Sequence, residues 1–146
     1  MNNHALKKIR QFNRYYTAWL DVMNKGYLGT DLAWPESRVL FEIYLCSGIT
    51  ATDICGNLNM DKSYVSRILS KFERQGLITR ELVPGSKGLK RLLLTNAGIK
   101  AARKIDSNGD RQITDKLKDM DEETCEKLCA AMEFIEKTLR GNDICK

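Results

Sequence analysis

Histidine is almost missing from this sequence: His4 is its only one, and it stands at the very start of the chain. The commonest general base and the commonest zinc ligand are therefore not available as a cluster. No CxxC pair occurs, no glycine-rich phosphate loop leads into a helix, and no cysteine has an evident base in sequence. An enzyme is not expected, and neither is a metal or another cofactor. Long apolar runs are lacking as well: no stretch approaches the ~18 uninterrupted residues of a membrane span. The opening Met1-Asn2-Asn3-His4-Ala5-Leu6-Lys7-Lys8 runs into a charged amphipathic segment instead of a signal core. A cytoplasmic protein without membrane contact is expected. Cysteine is present but odd in number, at Cys46, Cys55, Cys125, Cys129 and Cys145, which speaks against a disulfide framework. Cys125 and Cys129 sit four apart, a spacing that holds a metal only with two further ligands, so buried, reduced thiols are the simpler reading.

What is present is an ordinary globular composition, with 42% hydrophobic and 29% charged residues in 146. That length supports one core, and a single domain over residues 1–146 is expected. The net charge is +5, and its location matters more than its size. Between Asp61 and Arg91 eight basic residues stand against three acidic ones, while the rest of the chain is balanced at sixteen of each. A face for phosphates, if the chain has one, lies in this segment; a solvated surface that happens to be basic explains the charge alone equally well.

Apolar residues Ile9, Phe12, Tyr16, Trp19, Leu20, Met23 and Tyr27 recur at threes and fours and predict one amphipathic helix from about Ala5 to Tyr27, closed by Gly26 and Gly29. A second begins near Pro35, with Val39, Leu40, Ile43 and Tyr44 inward and Gly48 as its stop. Thr50 and Asp53 have the form of a capping box and open a short third helix. After a tight turn at Asn57–Met60, Asp61 caps a fourth, whose Val65, Ile68, Leu69 and Phe72 face inward and which Gly76 ends. The period then changes. Leu77–Val83 and Lys90–Leu94 read as strands flanking Pro84-Gly85-Ser86-Lys87-Gly88, a hairpin with a basic tip. Thr95 caps a helix to about Lys118, weakened or kinked at Asn108-Gly109, and Asp121 caps a last one with the stripe Cys125, Leu128, Cys129, Met132, Ile135 and Leu139. The tail after Gly141 reads as frayed.

Two short helices joined by a tight turn and followed by a hairpin give the order of a winged helix-turn-helix, mainly α with a small β-hairpin. With its apolar stripe inward, the helix from Asp61 exposes Lys62, Ser63, Tyr64, Ser66, Arg67, Ser70, Lys71 and Arg74, with no carboxylate before Glu73. A major groove lined with acceptors and phosphates matches such a donor-rich face. Arg67 suits a guanine edge; Ser63, Tyr64 and Ser66 suit bases or phosphates; Lys62 and Lys71 suit the backbone. Taken by itself the helix fits an amphipathic helix turned to water, and the hairpin together with the charge localisation favours nucleic acid.

The run Thr50–Gly76, the segment Gly76-Leu77-Ile78-Thr79-Arg80 and the closing Leu94-Thr95-Asn96-Ala97-Gly98 resemble the MarR family of bacterial regulators, and the layout is similar over nearly the whole chain. Phe12-Asn13-Arg14-Tyr15-Tyr16 and Ser37-Arg38-Val39-Leu40-Phe41-Glu42 further resemble the regulator portion of MarR proteins fused to an acetyltransferase, though no such second domain is expected here. The resemblance implies a homodimer built from helices at about 5–27 and 99–140, a winged helix-turn-helix at about 35–98, a palindromic operator, and a wing in the minor groove. It further implies a sequence-specific transcription regulator, with repression as the common outcome and a small-molecule effector as the common release. One departure stands out: the wing aspartate and arginine of the family fall on Ser86 and Gly88, leaving Lys87, Lys90 and Arg91 for phosphate contacts. Phe12, Tyr15, Tyr16, Trp19 and Trp34 are candidates to line a pocket for a small aromatic effector, although core packing and dimer contacts account for the same residues. Two alternatives remain beside this reading: a thiol-responsive regulator of the same fold, and a winged helix that binds protein without specific DNA binding.

Overall fold

The structure, a computed structural model, describes residues 2–140; the tail expected to fray after Gly141, and Cys145 within it, lie outside the described residues. The elements in chain order are α1 (Asn3–Trp19), a short 3₁₀ turn (Tyr27–Gly29), α2 (Trp34–Leu45), α3 (Ala51–Leu58), α4 (Lys62–Arg74), β1 (Ile78–Leu82), β2 (Lys90–Leu94), α5 (Asn96–Leu117) and α6 (Glu122–Arg140). The described chain is thus mainly helical with one antiparallel hairpin. The backbone divides into two units, residues 1–110 and 111–146, and α5 runs from one into the other.

In the first unit the periodic apolar residues meet where their spacing requires. Val39, Leu40 and Ile43 of α2, Ile54 of α3, Val65, Ile68, Leu69 and Phe72 of α4, Ile78 of β1, Leu92 of β2, and Ala102 and Ile105 of α5 form one buried cluster. Truncating a fully buried ring such as Phe72 costs about 3–5 kcal/mol in a core of this kind. The caps are those that the residue types specify. Asp53 N donates to Thr50 Oγ1 at 3.2 Å while Thr50 N donates to Asp53 Oδ2 at 3.0 Å, closing the box at the start of α3. At α4 the Asp61 carboxylate accepts from the amides of Ser63 and Tyr64 at 2.9 and 3.1 Å, which satisfies orphan donors of the first turn. Asn59 enters the left-handed region at φ 49 and makes the tight turn between α3 and α4.

β1 and β2 pair from Ile78 with Leu94 to Leu82 with Lys90. Residues 48–50 add a short third edge: Gly48 N donates to Leu92 O and Leu92 N to Ile49 O, at 3.0 and 2.9 Å. The return into α5 is tight. Thr95 Oγ1 donates to Gly76 O at 2.6 Å and accepts from Gly98 N at 3.1 Å, and a Cβ on Gly98 would lie 2.0 Å from the Leu77 carbonyl oxygen. Glycine is required there by the approach of backbone to backbone.

Two expectations are corrected. The first helix ends at Trp19 instead of near Tyr27, because Asp21 turns into the left-handed region at φ 56 and continuing the helix would bring no burial: Met23 is 87% exposed. Asn108-Gly109 does not break α5, which is continuous to Leu117. Asn108 instead uses its side-chain amide to hold the carbonyl of Leu28 at 2.7 Å. Leu28 is itself left-handed, with φ 52, a conformation that costs a non-glycine residue and is kept here by that bond. In the second unit Asp121 caps α6 through the Thr124 amide at 2.9 Å, and the helix buries no residue of its own.

Candidate nucleic-acid interface

The donor face of α4 begins at its cap. The Asp61 carboxyl is held below the ordinary aspartate value by the Ser63 hydroxyl and by the Tyr64 and Ser63 amides that donate to it, with the Arg67 charge adding to the effect. It stays ionised and is engaged by its own helix, so its negative charge does not break up the outward face. Beyond it Lys62, Ser63, Tyr64, Ser66, Arg67 and Ser70 are all exposed, while the stripe of Val65, Ile68, Leu69 and Phe72 is buried.

The expected basic contacts fall into two groups. Lys71 Nζ lies 2.7 Å from Glu36 Oε1 and ties α4 to the first turn of α2. Arg91 grips Glu81 across the hairpin, with Nε and Nη2 at 3.0 and 2.8 Å from one carboxylate oxygen. Arg80 Nε stands 3.1 Å from Glu73 as an ion pair without hydrogen-bond geometry. Lys62, Arg67, Arg74, Lys87 and Lys90 make no ion pair among the described residues. Their charges are the ones left over for a partner. Arg67 is ordered without a carboxylate: its guanidinium carbon lies 5.5 Å from the centroid of the Tyr64 ring, a cation–π contact.

The wing tip is built around Ser86. Its hydroxyl donates to Val83 O at 2.7 Å and accepts from Leu89 N at 3.1 Å, while Gly85 and Gly88 on either side take positive φ of 76 and 91. This presents Lys87 on an exposed turn, with Lys90 exposed at the start of β2 beside it. No side chain at Gly88 extends the tip, so the hairpin can offer two ammonium groups to phosphates but no arginine for a narrow groove.

A cleft of about 180 Å³ lies among the 3₁₀ turn, α2 and α5, with Tyr27, Ser37, Arg38, Phe41, Ile105 and Asp106 on its wall. Ser37 is 1% exposed, and its Oγ has no hydrogen-bond partner among the described residues. Burial pushes the Tyr27 phenol above its ordinary value. Of the aromatic residues expected to line a pocket, Phe12, Tyr15, Tyr16, Trp19 and Trp34, none is on this wall. Phe12, Tyr16 and Trp19 instead stack on one another along α1, with centroids 5.5 and 5.8 Å apart. Tyr15 is 67% exposed and Trp34 37% exposed. The sequence did carry a signal for the cleft: Ser37 is a polar residue one turn before Leu40, on the apolar stripe of α2.

This arrangement of elements has relatives. A model of the MarR family matches residues 30–87, the span from just after the 3₁₀ turn through α4 and β1 into the wing tip. Residues 30–87 thus resemble the MarR family. The fold of the MarR family extends over nearly the whole chain in solved structures. A MarR family protein from Bacillus stearothermophilus superposes with a TM-score of 0.80 at 15% identity, covering 97% of this chain and 99% of that one. MepR, a transcription regulator of the Staphylococcus aureus multidrug efflux pump MepA, gives 0.68 at 23% identity over 95% and 99%. A MarR-family transcriptional regulator from Listeria monocytogenes, solved with a 26mer DNA, gives 0.73 at 21% identity over 90% and 87%. No curated protein matches this chain. Among its described residues no helix is long and apolar enough to cross a membrane, and no three His, Cys, Asp or Glu residues are grouped to hold a metal.

Proposed function

We propose that this chain is a sequence-specific, double-stranded DNA-binding transcription regulator of the MarR type. The observation that carries the reading is the sorting of charge on the basic segment. Within it three cations are spent on carboxylates, while Lys62, Arg67 and Arg74 on α4, and Lys87 and Lys90 on the wing, are not. Unspent donors on a helix behind a tight turn suit a major groove, and unspent lysines on a hairpin suit the phosphates beside it. The Listeria relative solved with DNA supports the same use of the fold.

The reading extends to a homodimer in the cytoplasm, with about 35–98 as the DNA-binding part and the flanking helices as the pairing part. α1 exposes Ile9 and Phe12, and α6 exposes Met132, Ile135 and Leu139; apolar faces of this extent call for cover. A two-fold dimer reads a palindrome with half-sites about one helical turn apart. Occupying such a site excludes other proteins from it, so repression is the outcome proposed. A small aromatic effector is proposed to release the DNA, entering the cleft where Phe41 offers a ring and Ser37 a buried hydroxyl without a partner. Release follows if the effector prefers a dimer whose two α4 helices are wrongly spaced.

The test is titration of the purified protein against random and selected duplexes over a range of salt. Binding whose salt slope flattens when Lys62, Lys87 and Lys90 are changed to alanine supports the reading. Binding that is absent, or indifferent to those changes, counts against it and favours a protein-binding winged helix.

A further inference from the structure

A guanidinium that reads a base must present its edge in one plane, and a long side chain on an exposed helix face pays entropy to do so. A protein can order it beforehand in two ways. A carboxylate holds it by its N–H groups, and those donors are then consumed. An aromatic ring holds it by its face, leaving all five in-plane donors free. This chain uses both. Arg38 lies 3.3 Å from Glu42 and Arg91 grips Glu81, whereas Arg67 lies over Tyr64 at 5.5 Å and makes no ion pair among the described residues.

We propose that Tyr64 is a positioning residue for base reading, its ring holding the Arg67 guanidinium over the first turns of α4 with the hydrogen-bonding edge unspent. This rests on the reading of α4 as the helix that enters the major groove. Tyr64 is well placed for the task because its own backbone is fixed. Its amide donates to Asp61 Oδ1 at 3.1 Å, beside the Ser63 amide at 2.9 Å and the Ser63 hydroxyl at 2.6 Å on the same oxygen. The ring also sits at the margin of the buried stripe, directly before Val65 and one turn before Ile68, and is only 37% exposed. Cap, ring and guanidinium thus form one chain along the helix: Asp61 sets the Tyr64 backbone, and the Tyr64 ring sets Arg67. The Asp61 carboxylate and Arg67 also feel each other's charge, which draws the guanidinium toward the N-terminal turn, where recognition helices meet base edges.

A ring that merely covers the core would behave differently from one that orients a neighbour, and the variants Tyr64→Phe, Tyr64→Trp and Tyr64→Leu separate the two. Duplexes are first selected from a random pool; Arg67→Ala then identifies the base pair at which Arg67 discriminates. Affinity is measured for the preferred duplex and for the duplex changed at that pair, alongside thermal unfolding of each variant. Phe and Trp keep a π-face and should keep the discrimination. Leu keeps apolar cover but no π-face, and should lower discrimination at that pair about two- to fivefold, the range an exposed cation–π contact represents, with other pairs and the melting temperature unchanged. Full discrimination in Tyr64→Leu, where Arg67→Ala has lost it, overturns the inference while leaving base reading by Arg67 intact. Equal loss in Tyr64→Phe overturns it too, since the hydroxyl and not the ring would then be the acting group. Loss in Arg67→Ala on every sequence alike removes base reading itself, and the inference falls with it.

Discussion

Arg67, Lys71 and Arg91 are all basic and all belong to the segment that carries the excess charge, yet they stand in different circumstances. Lys71 and Arg91 each meet a carboxylate, and Arg67 meets a ring. Spacing alone does not reveal the two ion pairs, because Glu36 is 35 residues from Lys71 and Glu81 faces Arg91 only through the hairpin register. The sequence does reveal which side chains point outward on α4, since that follows from where the apolar stripe turns. Arg67→Ala is expected to lose about 1–3 kcal/mol on a preferred duplex and much less on random DNA. Lys87→Ala is expected to weaken both alike and to flatten the salt dependence; competition binding on the two duplexes measures each. Asp61 adds a pH dependence of known sign. Its carboxyl titrates below the ordinary aspartate value in the folded chain, so its stabilisation is complete above the unfolded value of about 3.9 and is lost as the pH falls through the lowered one. The melting-temperature gap between the protein and Asp61→Ala should therefore be open at neutral pH and close in acid. Cys125 gives the thiol-responsive alternative no support: the neighbouring Cys129 first, and burial second, push its thiol upward, away from the reactive thiolate.

The elements were legible wherever a cap and a period agreed. Thr50 with Asp53, Asp61, Thr95 and Asp121 each begin a helix as their side-chain chemistry requires, and Gly76 supplies the left-handed stop. Legibility failed where tertiary contact decided. The end of α1 was hidden because the apolar period runs past Trp19 through Leu20, Met23 and Tyr27, while the backbone leaves the helix at Asp21. The role of Asn108 was hidden because its partner, Leu28, lies 80 residues away. The cleft was signalled only by Ser37, because its walls are drawn from three separate stretches of chain. Gly98→Ala tests the closest approach between elements: the added methyl meets the Leu77 carbonyl, and a loss of about 1–3 kcal/mol is expected in denaturant unfolding, the usual cost of overpacking. Ser86→Ala removes the hydroxyl that closes the wing tip. It should weaken binding to all duplexes about equally while leaving the preferred sequence unchanged.

For the molecule as a whole, the element order together with the charge location pointed to a winged helix for nucleic acid, the family resemblance implied a regulator, and the fold that the elements make matches solved MarR-family structures. The proposed pairing faces should respond to charge. Leu139 of α6 is 79% exposed in the single chain, and Leu139→Glu should shift sedimentation toward a monomer and weaken DNA binding together; a change in neither would place the pairing surface elsewhere. The central claim is that α4 and the wing read a defined DNA sequence, and the most direct test is selection from a random duplex pool at near-physiological salt. Enrichment of a palindrome with half-sites about one helical turn apart, lost with Arg67→Ala, is the result expected. Binding no tighter than the nonspecific range of ~10⁻⁴ to 10⁻⁶ M, with no sequence enriched, would contradict it.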